Sequence, residues 1–245
     1  MPFKALLRPL IDYALPPRCP ICGVTVDADN RFCLSCWQQM DFLAKPWCVA
    51  CGLPLPFEHL EDSLCGKCLT EPPVHDGVRA VVRYDDLSSL LPMRLKYGTR
   101  LGIAKLIAEH LQKFVAECSD NALIVPVPLH PTRLWRRGFN QSVLIGRELA
   151  RISAIAMNYN LISRCKITPP LRGMSGPQRR KTVDAAFALC NDAQASLAGK
   201  SILLIDDVYT SGSTSNACAR LLKKAGAEQV FVFCWARVIS SFENG

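Results

Sequence analysis

Ser201-Ile-Leu-Leu-Ile-Asp-Asp-Val-Tyr-Thr-Ser-Gly-Ser-Thr214 is the stretch on which the fold turns. Ile202 to Ile205 is an unbroken apolar run, as a central parallel strand buried on both faces requires. The run ends in Asp206 and Asp207, and a hydroxyl-rich turn around Gly212 follows. A helical pattern then extends from about Ser213 to Ala225 and closes at Gly226, with Ala217, Leu221, Leu222 and Ala225 on its inner face. Strand, acidic pair, hydroxyl turn and helix in that order lay out a ligand site at the carboxyl edge of an α/β sheet. Backbone N–H groups at Thr210–Thr214, with a helix N-terminus behind them, suit a phosphate monoester. The hydroxyls of Thr210, Ser211, Ser213 and Thr214 add donors, and Gly212 lets the backbone approach closely. Asp206 and Asp207 are poor phosphate ligands but good acceptors from vicinal hydroxyls, so a ribose 5-phosphate fits the whole row. Neither GxxxxGK nor GxGxxG occurs here, which disfavours a nucleotide P-loop or a dinucleotide-binding turn. The plain alternative is a polar strand-to-helix turn with aspartate capping.

Upstream lies Ile124-Val-Pro-Val-Pro-Leu-His-Pro-Thr-Arg-Leu-Trp-Arg-Arg-Gly-Phe-Asn-Gln-Ser142, a second strand leading into a basic segment. Ile202–Thr214 resembles the phosphoribosyl pyrophosphate (PRPP) motif of type I phosphoribosyltransferases at every position except Tyr209, where that wider family usually carries an aliphatic residue. The Pro-Val-Pro strand end and Arg-Arg-Gly-Phe-Asn-Gln narrow the likeness. Together with a Cys-rich N-terminal module, they make the chain resemble the ComF/GntX group of phosphoribosyltransferase-like competence proteins over essentially its whole length.

The resemblance implies an α/β fold: a mainly parallel sheet flanked by helices, carrying a small zinc-ribbon module. It implies magnesium-dependent binding or transfer of 5-phosphoribosyl groups, in association with DNA uptake. Asp206 and Asp207 would hold the ribose hydroxyls and face the cation that develops at C1, Thr210, Ser211, Gly212, Ser213 and Thr214 would cradle the 5-phosphate, and magnesium would bridge pyrophosphate and ribose oxygens. The pyrophosphate would fall to Val127, Pro128 and Leu129 with Arg136 and Arg137. The flexible loop, about Lys166–Val183, would bring Arg172, Arg179, Arg180 and Lys181. Lys96 in Lys96-Tyr97-Gly98 is a further contact of this kind. The usual acceptor-binding hood is not recognisable, and the Cys-rich module sits where it could replace it. The competing reading is a single-stranded-DNA-handling accessory, working with other competence proteins, in which the PRPP pocket is regulatory. Expected strands lie near Val78–Tyr84, Leu123–Pro128, Tyr159–Ser163, Ile202–Asp206 and Gln229–Trp235, and crossover helices near Ile103–Glu117, Gln141–Ile152 and Ser213–Ala225.

The N-terminal module holds four CxxC pairs, Cys19/Cys22, Cys33/Cys36, Cys48/Cys51 and Cys65/Cys68. Two thiolates three positions apart on a tight turn face one metal, and two such turns supply the tetrahedral sulfur set that zinc prefers. The repeat of Cys-x-x-Cys-Gly at Gly23 and Gly52 reads as a duplicated zinc ribbon with two structural zinc sites. Spacing leaves consecutive or interleaved pairing open, consecutive being the simpler. A thioredoxin-type pair would not recur four times, and a disulfide framework needs an oxidising compartment. Trp37, Phe42 and Trp47 read as the module's own small core rather than as stacking residues. The remaining cysteines, Cys118, Cys165, Cys190, Cys218 and Cys234, read as small buried hydrophobes.

The 245 residues are 49% hydrophobic and 20% charged, which excludes a disordered or low-complexity chain. The net charge of +8 is unevenly placed: residues 1–75 carry six basic and eight acidic side chains, and the rest 23 basic and 13 acidic. The split predicts one unit over 1–72, a short amphipathic helix at Met1–Pro17 plus the double ribbon, and a basic domain over 73–245. With each zinc on four thiolates the module becomes more acidic still, about −6, so the positive field belongs to the second domain. Nothing resembles a membrane span or a signal peptide, and a cytoplasmic protein is expected.

Overall fold

The computed structural model describes residues 16–56, 63–97, 102–166, 182, 184–190 and 196–239. Its elements in chain order are α1 (Leu34–Gln38), α2 (Gly66–Thr70), β1 (Gly77–Arg83), α3 (Leu90–Tyr97), α4 (Gly102–Leu111), β2 (Ala122–Pro126), α5 (Pro131–Arg137), α6 (Gln141–Ser153), β3 (Ile162–Arg164), β4 (Phe187–Leu189), β5 (Ser201–Tyr209), α7 (Ser213–Lys224) and β6 (Gln229–Arg237). The expected amphipathic helix at the N-terminus lies outside the described residues apart from its last two positions, Pro16 and Pro17.

Four parallel strands form the main sheet in the order β1-β6-β5-β2. The apolar run on β5 explains its central place, because consecutive side chains feed opposite faces. Ile202 and Leu204 pack with Val230 and Val232 beneath Ala217, Cys218 and Leu222 of α7. Leu203 and Ile205 pack with Phe233 and Trp235 against Ile107 and Leu111 of α4 and Ile145 and Leu149 of α6. The sheet is therefore covered on both faces, the arrangement expected of parallel strands joined by crossover helices.

The structure changes three expected elements. Tyr159–Ser163 does not extend the parallel sheet. Met157 makes a single parallel bridge to Ile124, after which the Asn158 side chain accepts from the Asn160 N–H and turns the chain. Ile162–Arg164 then pairs antiparallel with Phe187–Leu189 as a separate two-stranded ribbon. The helix expected over Ile103–Glu117 is α-helical only to Leu111 and tightens to a 3₁₀ turn over Gln112–Glu117. β5 does not stop at the acidic pair but runs on to Tyr209, with Asp206 opposite Cys234 and Tyr209 opposite Arg237.

The Cys-rich module wraps the β1 side. Residues 41–43 lie along β1, where the Leu43 N–H donates to Val81 O at 2.9 Å and the Arg83 N–H to Asp41 O at 2.9 Å. This covers an otherwise open sheet edge. Trp37 and Phe42 do not form a separate core: with Phe32 they cluster around His110 of α4, and Phe32 and His110 also meet Trp235 of β6. Trp47 packs on Phe114, and Arg79 lies over its ring. The module is too small to bury large rings by itself, so they seal its seam with the sheet domain. The five remaining cysteines divide: Cys218 and Cys234 are buried, Cys118 and Cys190 half-buried, and Cys165 exposed where the chain leaves β3.

Candidate functional site

The sulfurs of Cys19, Cys22, Cys33 and Cys36 lie within 4.8 Å of one another, as do those of Cys48, Cys51, Cys65 and Cys68. The pairing is consecutive. Cys22 and Cys33 sulfurs are 3.5 Å apart and those of Cys51 and Cys65 are 3.7 Å apart, close to the edge of about 3.8 Å that a tetrahedron with Zn–S bonds of about 2.3 Å requires. Gly23 and Gly52 follow a ligand at φ +81° and +67°, the left-handed bend that turns each knuckle back. Within each set one thiol is driven toward thiolate. Burial opposes ionisation of Cys19, but the backbone N–H groups of Cys22 and Cys33 bring it down to about 6. Cys48, accepting from the Cys51 thiol, falls to about 4. Cys51 is pushed up by donating to Cys48 and then by burial. Burial first, then neighbouring sulfurs, raise Cys36 and Cys68, the latter to about 12. Four crowded sulfurs ionise together only around a cation, and the donor set fits zinc.

The two sites differ in surroundings. Cys22 is exposed and Cys33 half-buried, whereas all four ligands of the second set are buried. Arg237 reaches the second set from the end of β6: it is 2% exposed, its Nε donates to Cys51 O at 2.7 Å and an Nη approaches Cys51 Sγ at 3.3 Å. A colorimetric chelator is therefore expected to strip zinc in two phases, the first site well before the second. A single phase for both would contradict this assignment.

At the carboxyl edge of the sheet, Asp206 and Thr210–Ser215 line a cavity of about 160 Å³ with Arg164 on its rim. Asp206 and the hydroxyl turn are thus brought together around one space, while Asp207 is buried outside its lining. Gly212 caps α7 at φ +72°, a conformation that side chains with a Cβ disfavour, and a Cβ there would overlap the Tyr209 hydroxyl. Ser211 and Ser213 hydroxyls are 2.9 Å apart. The Asp207 N–H donates to Asp206 Oδ1 at 2.8 Å, and Lys96 Nζ pairs with Asp207 Oδ2 at 2.6 Å. Burial, then the Asp207 charge, hold the Asp206 carboxyl well above the usual range, while Asp207 N–H and Lys96 act against the rise. The pair thus has two unlike members, one carboxylate neutralised by lysine and one kept reluctant to ionise.

None of the expected pyrophosphate residues lines this cavity. Val127 continues β2 next to β5, its N–H donating to Ile205 O at 2.9 Å and its carbonyl accepting from Asn140 Nδ2 at 2.9 Å. Pro128 and Leu129 are half-buried and lead into α5, on which Arg136 is exposed and Arg137 half-buried. Arg172, Arg179, Arg180 and Lys181 lie outside the described residues.

Sequence reading missed Arg164. It ends β3, stacks over Phe187 at 5.2 Å from the ring centre, and has its pKa lowered by burial and by Arg133. A basic residue just past the expected strand Tyr159–Ser163 was the available signal. Tyr209, noted only as a departure, is a strut. Its buried hydroxyl meets His75 Nε2 at 3.2 Å, its ring lies 5.9 Å from the Arg237 guanidinium, and its hydroxyl abuts Gly212. Burial holds His75 down to about 4, in the neutral form. A cleft of about 280 Å³ separates the second ribbon from this loop, lined by Cys51, Lys67, Pro72, Tyr209, Asn216 and Arg237 among others.

Fold and site together define a double zinc ribbon joined to a phosphoribosyltransferase-type domain, and two family models match accordingly: the double zinc ribbon domain over residues 10–69 and the phosphoribosyl transferase domain over residues 170–241. Among curated proteins, Competence protein F of Haemophilus influenzae is 33% identical over 218 residues, covering 86% of this chain and 92% of that protein. The DNA utilization protein YhgH of Escherichia coli O157:H7 is 31% identical over 92% of this chain and 99% of its own. Competence protein ComFC of Bacillus subtilis is 29% identical over 85% of each. The chain belongs to the competence protein F family.

Proposed function

We propose that the protein binds PRPP with magnesium at the carboxyl edge of its parallel sheet and acts as a phosphoribosyltransferase in DNA uptake or utilisation. The observation that carries this reading is the single cavity shared by Asp206, the Thr210–Thr214 turn and Arg164. A 5-phosphate takes the turn's N–H groups and hydroxyls, with Arg164 adding charge. The ribose hydroxyls donate to Asp206 and Asp207. Val127–Leu129, Arg136 and Arg137 take the pyrophosphate, and the basic loop around Arg172, Arg179, Arg180 and Lys181 closes over it. Asp206 is the carboxylate suited to a hard divalent cation brought in with the diphosphate, since Lys96 pairs with Asp207. The name DNA utilization protein, borne by the Escherichia coli relative, supports the link to DNA. Eight cysteines held as metal ligands favour a reducing compartment, hence the cytoplasm. We divide the chain into a ribbon module over 1–72 and a transferase domain over 73–245.

The ribbons offer little for stacking DNA bases, because Phe42 and Trp47 are engaged at the seam with His110 and Phe114, and of these three rings Trp37 alone, 47% exposed, is open. Calorimetric titration of the whole chain with PRPP and magnesium tests the principal reading. Saturable binding is expected, and Gly212→Val is expected to weaken it at least tenfold, because the left-handed φ and the Tyr209 hydroxyl both oppose a side chain there. Absence of PRPP binding by the unaltered protein would remove the proposal.

A further inference from the structure

The four ligands of the first zinc set divide by burial. Cys19 and Cys36 are buried, Cys22 is exposed and Cys33 is half-buried. Cys19 and Cys36 belong to the apolar cluster that also holds Val82 of β1 and Ile103 and Ile107 of α4. The first knuckle is fastened to the sheet domain as well, since the Arg94 guanidinium on α3 donates to Pro20 O. Cys22 and Cys33 are left at the solvent side, with their sulfurs 3.5 Å apart. Cys51 and Cys65 of the second set are nearly as close, at 3.7 Å, but all four ligands there are buried, and they form a cluster of their own with Leu53. Exposure, not spacing, therefore separates two sites that the duplicated sequence makes alike.

Zinc has no redox chemistry, so the electrons such a site can give up are those of its thiolates. Thiolates are the form of cysteine that oxidants attack, and susceptibility follows thiolate character and exposure. Of the eight ligands Cys22 alone is exposed, and Cys33 stands beside it as a resolving sulfur. What the first site holds in place is a sheet edge. Its last ligand, Cys36, lies on α1, and the chain runs on from there along β1, the outer strand of the sheet. Phe42 bridges Val82, the Leu43 N–H donates to Val81 O, the Arg83 N–H donates to Asp41 O, and the Arg83 and Asp41 side chains pair at 2.7 Å. An edge strand stripped of such a cover is open to pairing with another chain.

We infer that the first zinc site is an oxidant-sensitive clasp on the β1 edge: hydrogen peroxide joins Cys22 to Cys33, the zinc leaves, and residues 41–43 come away from β1, while the second site keeps its metal. The Cys22 thiolate attacks one peroxide oxygen, the O–O bond breaks, and hydroxide departs from the sulfenic acid so formed. The Cys33 thiolate then attacks the Cys22 sulfur, making the S–S bond and releasing a second hydroxide. The two thiolates have lost two electrons, the peroxide has gained them, and the hydroxides take protons from solvent to become water. Cys19 and Cys36 are only half of a tetrahedral set, and they give up the ion and take up protons. The inference goes beyond the PRPP reading and stands independently of it.

The test is a titration of the zinc-loaded, full-length protein with hydrogen peroxide. Retained zinc is counted by atomic emission after desalting, and mass-spectrometric peptide mapping locates the oxidised sulfurs. Loss of one of the two zinc ions is expected, in step with a Cys22–Cys33 disulfide, with Cys48, Cys51, Cys65 and Cys68 still reduced. Amide hydrogen exchange should quicken at Leu43 and Arg83 and stay unchanged in β5, and a thiol reductant with added zinc should restore the starting state. Cys22→His keeps a side chain that ligates zinc but cannot form the disulfide. It is expected to hold both ions at the peroxide concentration that empties the first site of the unaltered chain. Loss of both ions together, a disulfide confined to the second set, or an emptied first site with Leu43 and Arg83 still protected would overturn the proposal. So would zinc release from a Cys22→His variant as ready as that from the unaltered protein. If Cys22→His does not take up zinc, the map of the unaltered chain decides alone: Cys22 and Cys33 still reduced when the exposed Cys165 has been oxidised would sink the idea.

Discussion

Cys51→Ser is expected to cost the protein one of its two zinc ions, lower its melting temperature by about 10 °C or more, and weaken PRPP binding at a site whose 5-phosphate loop contains no cysteine. Structural zinc in small ribbons contributes apparent free energies of about 10–16 kcal/mol, comparable to or larger than the whole stability of an ordinary domain. A loss of only a few kcal/mol already lowers the melting temperature of a chain this size by about 10 °C. Cys51 is chosen because three structures meet at it. It is a buried ligand of the second set, its carbonyl accepts from Arg237 Nε at 2.7 Å, and its sulfur lies 3.3 Å from an Arg237 nitrogen. Arg237 is a buried cation, and the anionic zinc–thiolate group compensates it. Removing that compensation disturbs the register at which Tyr209 pairs with Arg237, and Tyr209 is the wall against which Gly212 packs. Cys22→Ser is the control: it also removes a zinc, but at an exposed ligand of the first set, far along the chain from Arg237. It should spare PRPP affinity. Zinc content by atomic emission, a thermal melt and PRPP calorimetry on both variants decide the matter. If Cys51→Ser halves the zinc and leaves PRPP binding untouched, the strut from ribbon to loop has no functional weight.

What the sequence disclosed followed from how local each signal was. The β5 strand was legible because Ile202–Ile205 is apolar on both faces, and the phosphate turn because its residues are contiguous. The zinc ligands were legible by spacing, and only the distances between sulfurs made the pairing consecutive. Tyr159–Ser163 was misplaced because an apolar strand signal does not show which sheet it joins; the Asn158–Asn160 side-chain turn decides that. Trp37 and Phe42 were read as module core because their partner, His110, lies on a helix of the other domain. Arg164 and Tyr209 share the same difficulty. Each acquires its role from elements distant in sequence: Arg164 from the cavity beyond β5, and Tyr209 from His75 and Arg237. Cys165 was assigned to the core from residue type alone, and type does not reveal that it sits where a short ribbon opens to solvent.

Asp206→Asn is expected to abolish most PRPP affinity, by about ten- to a hundredfold, and at the same time to make the folded protein more stable at neutral pH. The first effect follows from losing a charged acceptor for the ribose hydroxyls and the cation, since hydrogen bonds to charged groups contribute about 1.5–3 kcal/mol. The second follows from the direction of its pKa. Burial and the Asp207 charge raise the Asp206 carboxyl well above its ordinary value of 3.8. A carboxyl raised on folding binds more protons in the native than in the unfolded state at intermediate pH. Its contribution to stability is therefore present below the unfolded value and is lost as pH rises toward the folded one. An amide at 206 does not ionise and escapes that loss. The melting temperature of Asp206→Asn should exceed that of the unaltered protein at about pH 7.5, with the gap closing as pH approaches about 4. PRPP affinity of the unaltered protein should rise with pH over the same interval, as Asp206 becomes ionised and able to accept. In Asp206→Asn that rise should vanish. Asp207→Asn behaves differently, because it leaves Lys96 facing an amide across what was a 2.6 Å ion pair, and a broken buried pair costs about 3 kcal/mol or more. It should lose stability along with binding. Opposite signs of stability change at two adjacent carboxylates, with loss of PRPP affinity at both, separate a residue kept for its ligand from one that also holds the fold. Equal destabilisation by the two substitutions would show that Asp206 is an ordinary structural carboxylate.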